Sequence, residues 1–485
     1  MAKSFHRKWR YLWRFRLAAI GLGLLPLLVS EWFLAVLDLP KHAAAIDPYV
    51  ELHHLRPLFE LEEQTQKLSI GRERLHLFRP ISFPAKKSTG TFRVFALGGS
   101  TTQGEPYSNE TAFPEWLKLN LQAQTPDTNY EVINCGGLSY ASYRVLAILC
   151  EVLDYDPDLI VIYTGHNEFL EQRTSANWKP ASARSDAVAW LAQMRTVQLA
   201  RTLVAKPASR TDAPARTELT SEVDALLDYS GGLHDYRRDD PWREPVVNHF
   251  RWNVEQMIHA CQDRRVPLVL IRPVSNLIDC APFKFEIDSK LSSEKQTAFI
   301  ERWDDLRLNR DRIQNPLAEV EYLMSIDPQH AGALYLKGRL LADQGDWESA
   351  KSCFVAARDA DVCPLRAITP IVDAVTELAE RFEVSLVDAE QLLTELSEHQ
   401  IPGSKWLVDH VHPTIEGHQR IGEALAELCV SEHLTTPTNF AWKSYRRALY
   451  TAHLSRLGEA YFHRGKQRLE GLKLWTQGRA KKVKN

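Results

Sequence analysis

The sequence predicts an α/β protein whose central sheet is parallel and is covered by helices on both sides. Short β-rich runs alternate along the chain with longer helical stretches, and this alternation is typical of βαβ units. The run LIVIY at residues 159–163 is almost continuously apolar, as parallel strands buried on both faces are. The 485 residues are 44% hydrophobic and 25% charged, which indicates a folded protein of about two to four structural units.

Five strands and three helices between them follow from these patterns. The first strand, TFRVFAL at residues 91–97, ends in Gly98-Gly99 and is predicted to enter a tight turn. The other predicted strands cover residues 130–134, 159–163, 266–271 and 384–387, and the helices cover residues 112–124, 141–153 and 245–263. Two stretches interrupt the alternation: residues 174–245 predict a polar surface insertion, and residues 287–365 predict a helical one.

The first forty residues predict a membrane anchor. Residues 17–30 are apolar, and the apolar pattern resumes after Glu31 as far as Leu37. At about 1.5 Å per residue this stretch matches the thickness of a bilayer core. Glu31 weakens the prediction, since a carboxylate at mid-bilayer costs roughly 2.5 to 3.5 kcal/mol. The alternative is a cleavable signal peptide that ends near Ser30, but no small-x-small cleavage site follows it.

The distribution of charge and the cysteine content indicate which side of the membrane the chain lies on, which partners are excluded, and whether disulfide bonds are expected. Six basic residues and no acid lie within the first sixteen positions, while the whole chain carries a net charge of -3. This asymmetry predicts a cytoplasmic N-terminus, with the chain beyond about residue 40 outside the cytoplasm, and it argues against nucleic acid as a partner. The seven cysteines are scattered singly, which predicts mostly buried thiols. The spacing alone does not decide whether Cys353 and Cys363 form a disulfide bond.

Ser100 is the candidate nucleophile. A serine that attacks an ester needs a base, a group that orients the base, and donors for the oxyanion. Ser100 follows the first predicted strand and two glycines, at the predicted start of a helix where free N–H groups favour negative charge. Its ordinary role at such a place would be a helix N-cap, so other segments must decide.

Four segments resemble, in order, the sequence blocks of the SGNH hydrolases, also called the GDSL esterase/lipase family. GGSTTQG at residues 98–104 resembles the first block, with Ser100 in the nucleophile position and Gly99 where the family usually has Asp. NCGGLSY at residues 134–140 resembles the second block. The family's glycine there lends a backbone N–H to the oxyanion hole, and in register it corresponds to Ser139, with Gly136 and Gly137 close by.

The third and fourth blocks supply the remaining catalytic groups. YTGHNE at residues 163–168 resembles the third block, in which Asn167 takes the place of the oxyanion-hole asparagine and Glu168 replaces the more usual Asp. DHVHP at residues 409–413 resembles the last block. There the resemblance makes His412, before the proline, the general base and Asp409 its orienting carboxylate, with His410 as the competing base. One loop can bring both side chains together.

The resemblance implies a flavodoxin-like three-layer α/β/α core with a shallow, open site and no cofactor. The expected activity is hydrolysis of an O-acyl or O-acetyl ester on a carbohydrate or lipid, at the outer, periplasmic face of a bacterial inner membrane. An O-acetyltransferase acting on cell-envelope polysaccharide would use the same triad, and a scaffold with a vestigial core is a third hypothesis. A metal site at the His-x-His sequence is disfavoured because no other cluster with ligand spacing accompanies it.

The helical insertion contains a stretch, Ala331–Arg358, that resembles one tetratricopeptide repeat, with Asp327-Pro328 like the end of a preceding one. These helices could bind a protein partner or simply pack on the core.

Arg272 and Asn276, after the fourth predicted strand, are either substrate contacts or a solvated loop. The predicted division is an anchor (1–40), a lead-in (41–90), core parts at 91–175, 245–285 and 366–430, insertions at 176–244 and 286–365, and a C-terminal helical extension (431–485).

Overall fold

A computed structural model describes residues 22–23, 25–26, 29–31, 33–34, 47, 49–52, 56–171, 196, 217–238, 242–477 and 479. The chain divides into two compact units. One combines Met1–Glu51 with Ser175–Glu218, and the other combines Leu52–Thr174 with Leu219–Asn485. The second unit contains the central sheet and all the candidate site residues.

The elements of the described residues are as follows. The strands are β1 (Val50–Leu52), β2 (Phe59–Glu62), β3 (Lys67–Ile70), β4 (Ser82–Pro84), β5 (Thr91–Gly98), β6 (Asn129–Gly136), β7 (Leu159–Tyr163), β8 (Thr217–Leu219), β9 (Leu268–Arg272) and β10 (Ser385–Asp388). The helices are α1 (Ser100–Gln103), α2 (Phe113–Gln124), α3 (Ser142–Val152), α4 (Arg243–Arg264), α5 (Ser293–Asn309), α6 (Pro316–Ile326), α7 (Ala331–Asp343), α8 (Trp347–Asp359), α9 (Thr369–Arg381), α10 (Ala389–Glu395), α11 (Ile415–Ser431), α12 (Trp442–Arg456) and α13 (Glu459–Thr476).

The first unit is described only in part. Its described residues between 22 and 34 are helical, and the Glu31 carboxylate accepts hydrogen bonds from both the N–H and the hydroxyl of Thr196, each at 2.9 Å. β1 pairs with β8. The predicted anchor at residues 17–37 lies largely outside the described residues. Within the part of the chain that is described, no helix is long and apolar enough to cross a membrane.

The central sheet of the second unit has five strands in the order β10-β9-β7-β5-β6, and every neighbouring pair is parallel. Numbered along the chain, this is the 2-1-3-4-5 order of a doubly wound sheet, in which both faces receive helices. The sheet confirms the predicted α/β fold with parallel strands. All five strands were predicted, and their bounds differ from the predicted ones by at most two residues at either end.

Helices cover the two faces of this sheet because successive side chains of each strand point to opposite sides. Phe95 and Leu97 of β5 pack in one cluster with apolar residues of α3, α4 and α9. Val94 and Ala96 pack in another, with residues of α2, α10 and α11. A fully buried large apolar side chain contributes about 1.5 to 3 kcal/mol, so these two clusters hold the carboxyl ends of the strands in fixed positions.

A small antiparallel sheet, β2-β3-β4, precedes the core. Its Phe83 packs edge-on against Phe95 of β5, with ring centroids 5.4 Å apart. Glu151 of α3 accepts the N–H groups of Leu58 and Phe59 at 2.6 and 2.9 Å. This sheet was not predicted within the lead-in at residues 41–90, because strands of three and four residues leave almost no periodic signal.

The helical insertion contains the hairpin formed by α7 and α8. A Cβ at Gly338 would lie 2.7 Å from the ring of Phe354, so glycine is what lets the two helices approach. Asp346 caps α8 by accepting the N–H of Ser349 at 3.2 Å. A binding role for these helices stays a prediction.

All seven cysteines are free, so Cys353 and Cys363 form no bridge.

Candidate active site

The turn that carries Ser100 depends on two glycines. Gly98 of β5 is paired with Tyr163 of β7. A Cβ at Gly98 would lie only 2.1 Å from the carbonyl oxygen of Tyr163. A Cβ at Gly99 would lie 2.4 Å from Nδ2 of Asn167. Ser100 therefore starts α1 directly beside Asn167. A larger residue at position 99 would displace the Asn167 amide.

Ser100, His412 and Asp409 form a continuous chain of hydrogen bonds. The Ser100 hydroxyl lies 2.8 Å from Nε2 of His412, and Nδ1 of His412 lies 2.7 Å from Oδ2 of Asp409. The other carboxylate oxygen of Asp409 accepts the backbone N–H groups of Val411 and His412, both at 2.9 Å. The carboxylate is thus held on both sides, and it fixes the imidazole with Nε2 towards the serine.

The charges of this chain are set by burial and by mutual contact. Burial works to lower the pKa of His412, but the Asp409 carboxylate, through its charge and its hydrogen bond, raises that pKa above the ordinary value of 6.5. Burial alone would raise the pKa of Asp409, yet His412 and His410 hold it well below its usual range. Asp409 is therefore ionised, and it favours the protonated imidazole that a general base becomes.

His410, the competing base, lies on the far side of the carboxylate. Its Nδ1 is 3.6 Å from Oδ1 of Asp409, and its ring packs edge-on against Phe283. Burial lowers the pKa of His410 to about 4, so it is neutral. Its backbone oxygen accepts the N–H of Asn276 at 2.9 Å. The structure thus brings His412, and not His410, to Ser100.

The backbone N–H groups at the end of β6 and in the first residues of the loop that follows differ in whether they have an acceptor. Gly137 donates its N–H to Gly98, at 3.0 Å, and Leu138 donates to Leu77, at 2.8 Å. Gly136 donates to the Asn134 side chain at 2.9 Å. Among the described residues the N–H of Ser139 has no acceptor. Of the three positions that the sequence left open, Ser139 is therefore the one with a donor to offer.

The backbone of Ser139 also has the conformation expected of a glycine. Its φ is 59°, in the left-handed region that costs an ordinary residue roughly 1 to 2 kcal/mol. Serine can adopt the same turn at that cost, so the N–H keeps its direction.

Asn167 and Glu168 join the ends of β6 and β7. Nδ2 of Asn167 donates one hydrogen to the carbonyl of Tyr140 at 3.0 Å, which leaves its second N–H available. Glu168 is fully buried and accepts both the N–H and the hydroxyl of Ser142, at 2.8 and 2.9 Å. Glu168 thus holds the start of α3 and with it the loop that carries Ser139.

Two groups close to the triad were not predicted from the sequence. Glu105, 7% exposed and paired with Arg79, adds to the charge that raises the pKa of His412. His166 accepts the N–H of Ala367 at 3.1 Å, and burial lowers its pKa to about 3. His166 directly precedes Asn167, and that adjacency was the only signal in the sequence.

Two further expectations concern Arg272 and metal ions. Arg272 pairs with Asp388 and Glu390 at 2.9 and 3.1 Å and lines a separate cavity, so it is not part of the triad. Within the described ranges, no group of three or more His, Cys, Asp or Glu side chains could hold a metal ion.

Comparisons with known proteins give limited information. No protein family and no curated protein matches the chain. Solved structures with some similarity include a lipolytic protein of the G-D-S-L family from Desulfitobacterium hafniense (11% identity, TM-score 0.31, covering 69% of this chain and 98% of that one). The lipase/acylhydrolase from Enterococcus faecalis (13%, 0.31, 70% and 96%) and the acetylxylan esterase Axe2 from Geobacillus stearothermophilus (12%, 0.32, 70% and 93%) are others. These scores are too low to assign a fold or an activity.

The class of this protein is therefore described from its own fold and site, as an α/β protein with a hydrogen-bonded serine, histidine and aspartate. The chain contains an α/β unit with a doubly wound parallel sheet. At the carboxyl ends of its strands a serine, a histidine and an aspartate are joined by hydrogen bonds. This is the side of the sheet on which α/β proteins bind their ligands.

Proposed function

We propose that this protein is a serine esterase of the SGNH hydrolase type. The observation that carries the proposal is the hydrogen-bonded chain from Ser100 through His412 to Asp409. The nucleophile and the loop that carries both the base and the orienting carboxylate are far apart in the chain, since Ser100 and His412 are 312 residues apart. Their convergence matches the roles that a catalytic triad requires.

The reaction follows from the positions of these atoms. Ser100 Oγ attacks the carbonyl carbon of the ester while Nε2 of His412 takes the hydroxyl proton, and a tetrahedral oxyanion forms. When this intermediate collapses, the C–O bond to the alcohol breaks, and His412 gives its proton to the departing alkoxide. Water then attacks the acyl-enzyme with His412 again as base. The carboxylic acid leaves and Ser100 regains its proton.

The oxyanion would be held by the N–H of Ser139 and by the second amide hydrogen of Asn167. Among the described residues neither has an acceptor. Asn167 lies beside Gly99, and Ser139 lies in the loop whose Gly137 donates its N–H to Gly98. Preorganised donors of this kind stabilise the transition state, and loss of one lowers turnover by about a hundredfold to a thousandfold. Asn167→Ala is therefore expected to reduce turnover to that extent.

The proposed substrate is an O-acyl or O-acetyl ester on a carbohydrate or lipid outside the cytoplasm. Its location outside the cytoplasm is supported by the basic N-terminal flank and the apolar stretch at residues 17–37, which together favour a single-pass inner-membrane anchor. Reporter fusions after residue 45 test this orientation. Activity of the reporter in the cytoplasm alone would contradict it.

Fluorophosphonate labelling of the full chain tests the activation of Ser100. We expect one labelled serine in the wild type, and no labelling in Ser100→Ala or His412→Ala. Ester turnover should fall to background in each variant, and the double variant should be no worse, because nucleophile and base act as one unit. Full turnover in Ser100→Ala on every ester tried would refute the proposal and favour a scaffold.

His410→Ala is the matched control for the base. It removes a buried imidazole from the same loop but leaves the bond between His412 and Ser100. We expect labelling to persist and turnover to fall much less than in His412→Ala. Equal damage in the two variants, with unchanged melting temperatures, would make His410 the base.

A further inference from the structure

A cavity of about 430 Å³ lies at the carboxyl ends of β9 and β10. Its walls come from the end of β9 and from α8, α9 and α10. β5, which carries Ser100, is two strands from β9 in the sheet, so the cavity lies about 10 Å or more across the sheet from the nucleophile. No residue of the proposed triad or oxyanion hole lines it.

The acidic groups of this cavity are held in place by arginines. Arg272 bonds Asp388 at 2.9 Å and Glu390 at 3.1 Å. Arg358, whose side chain is only 3% exposed, lies 3.6 Å from Glu390 on the other side. Glu390 nevertheless keeps 20% of its side chain exposed. A carboxylate fixed in this way is a preorganised acceptor for a hydroxyl group, because little entropy is lost when a ligand arrives.

Lys351 of α8 is the uncommitted cation of the same wall. It makes no hydrogen bond and no ion pair with any residue in the described part of the chain. Burial raises the pKa of Glu390, and the charge of Lys351 works in the opposite direction. Both arginines of the lining, Arg272 and Arg358, are already paired with carboxylates. Lys351 is therefore the cation of the lining that has no carboxylate partner among the described residues.

The lining chemistry limits the ligand. An acyl chain would cover these charged groups without giving them partners, which is costly. A bare inorganic anion would meet two carboxylates. A ligand that offers several hydroxyl groups and one acidic group suits the charged part of the lining: hydroxyls donate to Glu390 and Asp373, and the acid binds Lys351.

We propose that this cavity binds a sugar unit that carries an acidic group. One of its walls belongs to α8, so the helical insertion would serve to complete a carbohydrate site beside the core. This function goes beyond the proposed esterase. Binding does not involve Ser100, and the Ser100→Ala variant should bind the sugar as the wild type does.

The test is titration calorimetry of the full chain with D-glucuronate and, for comparison, D-glucose. We expect saturable binding of glucuronate, about tenfold or more tighter than glucose, because a charge-assisted hydrogen bond contributes about 1.5 to 3 kcal/mol. Lys351→Met should remove this preference without preventing binding. Val355→Trp should fill the cavity and abolish binding of both sugars. Ser352→Trp, on the exposed side of the same helix, is its control and should bind as the wild type does.

Four outcomes would each overturn the proposal. They are the absence of saturable glucuronate binding, equal affinity for glucuronate and glucose, unchanged binding in Val355→Trp, and a preference for glucuronate that survives in Lys351→Met. Melting temperatures identify variants that fail to fold. If Val355→Trp does not fold, Lys351→Met decides, since a preference that survives it places the acid elsewhere. Loss of esterase activity in Ser100→Ala with binding intact would separate the two sites.

Discussion

At the scale of single residues, the charge of His412 controls the proposed chemistry. A general base must be neutral, and Asp409 raises the pKa of His412 above 6.5 against the effect of burial. Ester turnover should therefore fall as the pH drops through a value above 6.5. Asp409→Asn removes the carboxylate charge while burial remains, so the pKa of His412 falls and the inflection moves to lower pH.

The measurement is the pH profile of kcat/KM for the two proteins. Maximal turnover of Asp409→Asn should also fall by roughly 10⁴-fold, since the orienting carboxylate is lost. Asp311→Asn alters a carboxylate that is 93% exposed and serves as the control. An unchanged inflection in Asp409→Asn would show that another group limits turnover at low pH.

Ser139 allows a second prediction at this scale. Its φ of 59° suits glycine, and the role assigned to it uses only the backbone N–H. Ser139→Gly should retain turnover and change the free energy of unfolding by no more than about 1 kcal/mol. Ser139→Val should lower both, because a β-branched residue strains this conformation further. Steady-state kinetics and urea unfolding of the two variants provide the comparison, and equal kinetics for Gly and Val would remove Ser139 from the oxyanion hole.

At the scale of elements, the site depends on how the strand ends are tied together. Glu168 follows β7 and binds the first residue of α3, so it joins two of the loops that converge on Ser100. Its carboxylate is fully buried. An element contact of this kind cannot be predicted from sequence spacing, since Ser142 and Glu168 are 26 residues apart.

Glu168→Ala should therefore destabilise the protein and weaken turnover together. It leaves the N–H and hydroxyl of Ser142 with no carboxylate, which costs about 1 to 3 kcal/mol for a buried group. Urea unfolding measures this loss. Glu416→Ala, in the first turn of α11 and 53% exposed, should change stability by less than about 0.5 kcal/mol. Similar losses of stability in both variants would contradict the role of Glu168 in holding the start of α3.

At the scale of the whole molecule, the apolar clusters described on the two faces of the sheet draw on no residue of the N-terminal forty that the structure describes. The two clusters that cover the sheet are built from residues beyond position 57. A chain without residues 1–40 should therefore be soluble and folded. Size-exclusion chromatography and a cooperative thermal unfolding transition test this, with the full chain in detergent as reference. Aggregation of the shortened chain under every expression condition would show that these residues also support the fold.

The sequence by itself determined the α/β class, the five core strands and the order of the four blocks. Strands buried on both faces leave continuous apolar runs, and turns at strand ends require residues such as Gly98 and Gly99 for steric reasons. These signals are local. The short antiparallel sheet β2-β3-β4 left none, because three or four residues are too few for a period to show.

Only the tertiary structure decided which of several candidates meet. The choice of His412 over His410 depends on which ring faces Ser100, and the choice of Ser139 over Gly136 and Gly137 depends on which N–H already has an acceptor. Both are contacts between segments far apart in the chain. The roles of Glu168, Glu105 and the cavity beneath α8 were invisible for the same physical reason: a side chain's pKa, partners and exposure are set by neighbours that the fold supplies.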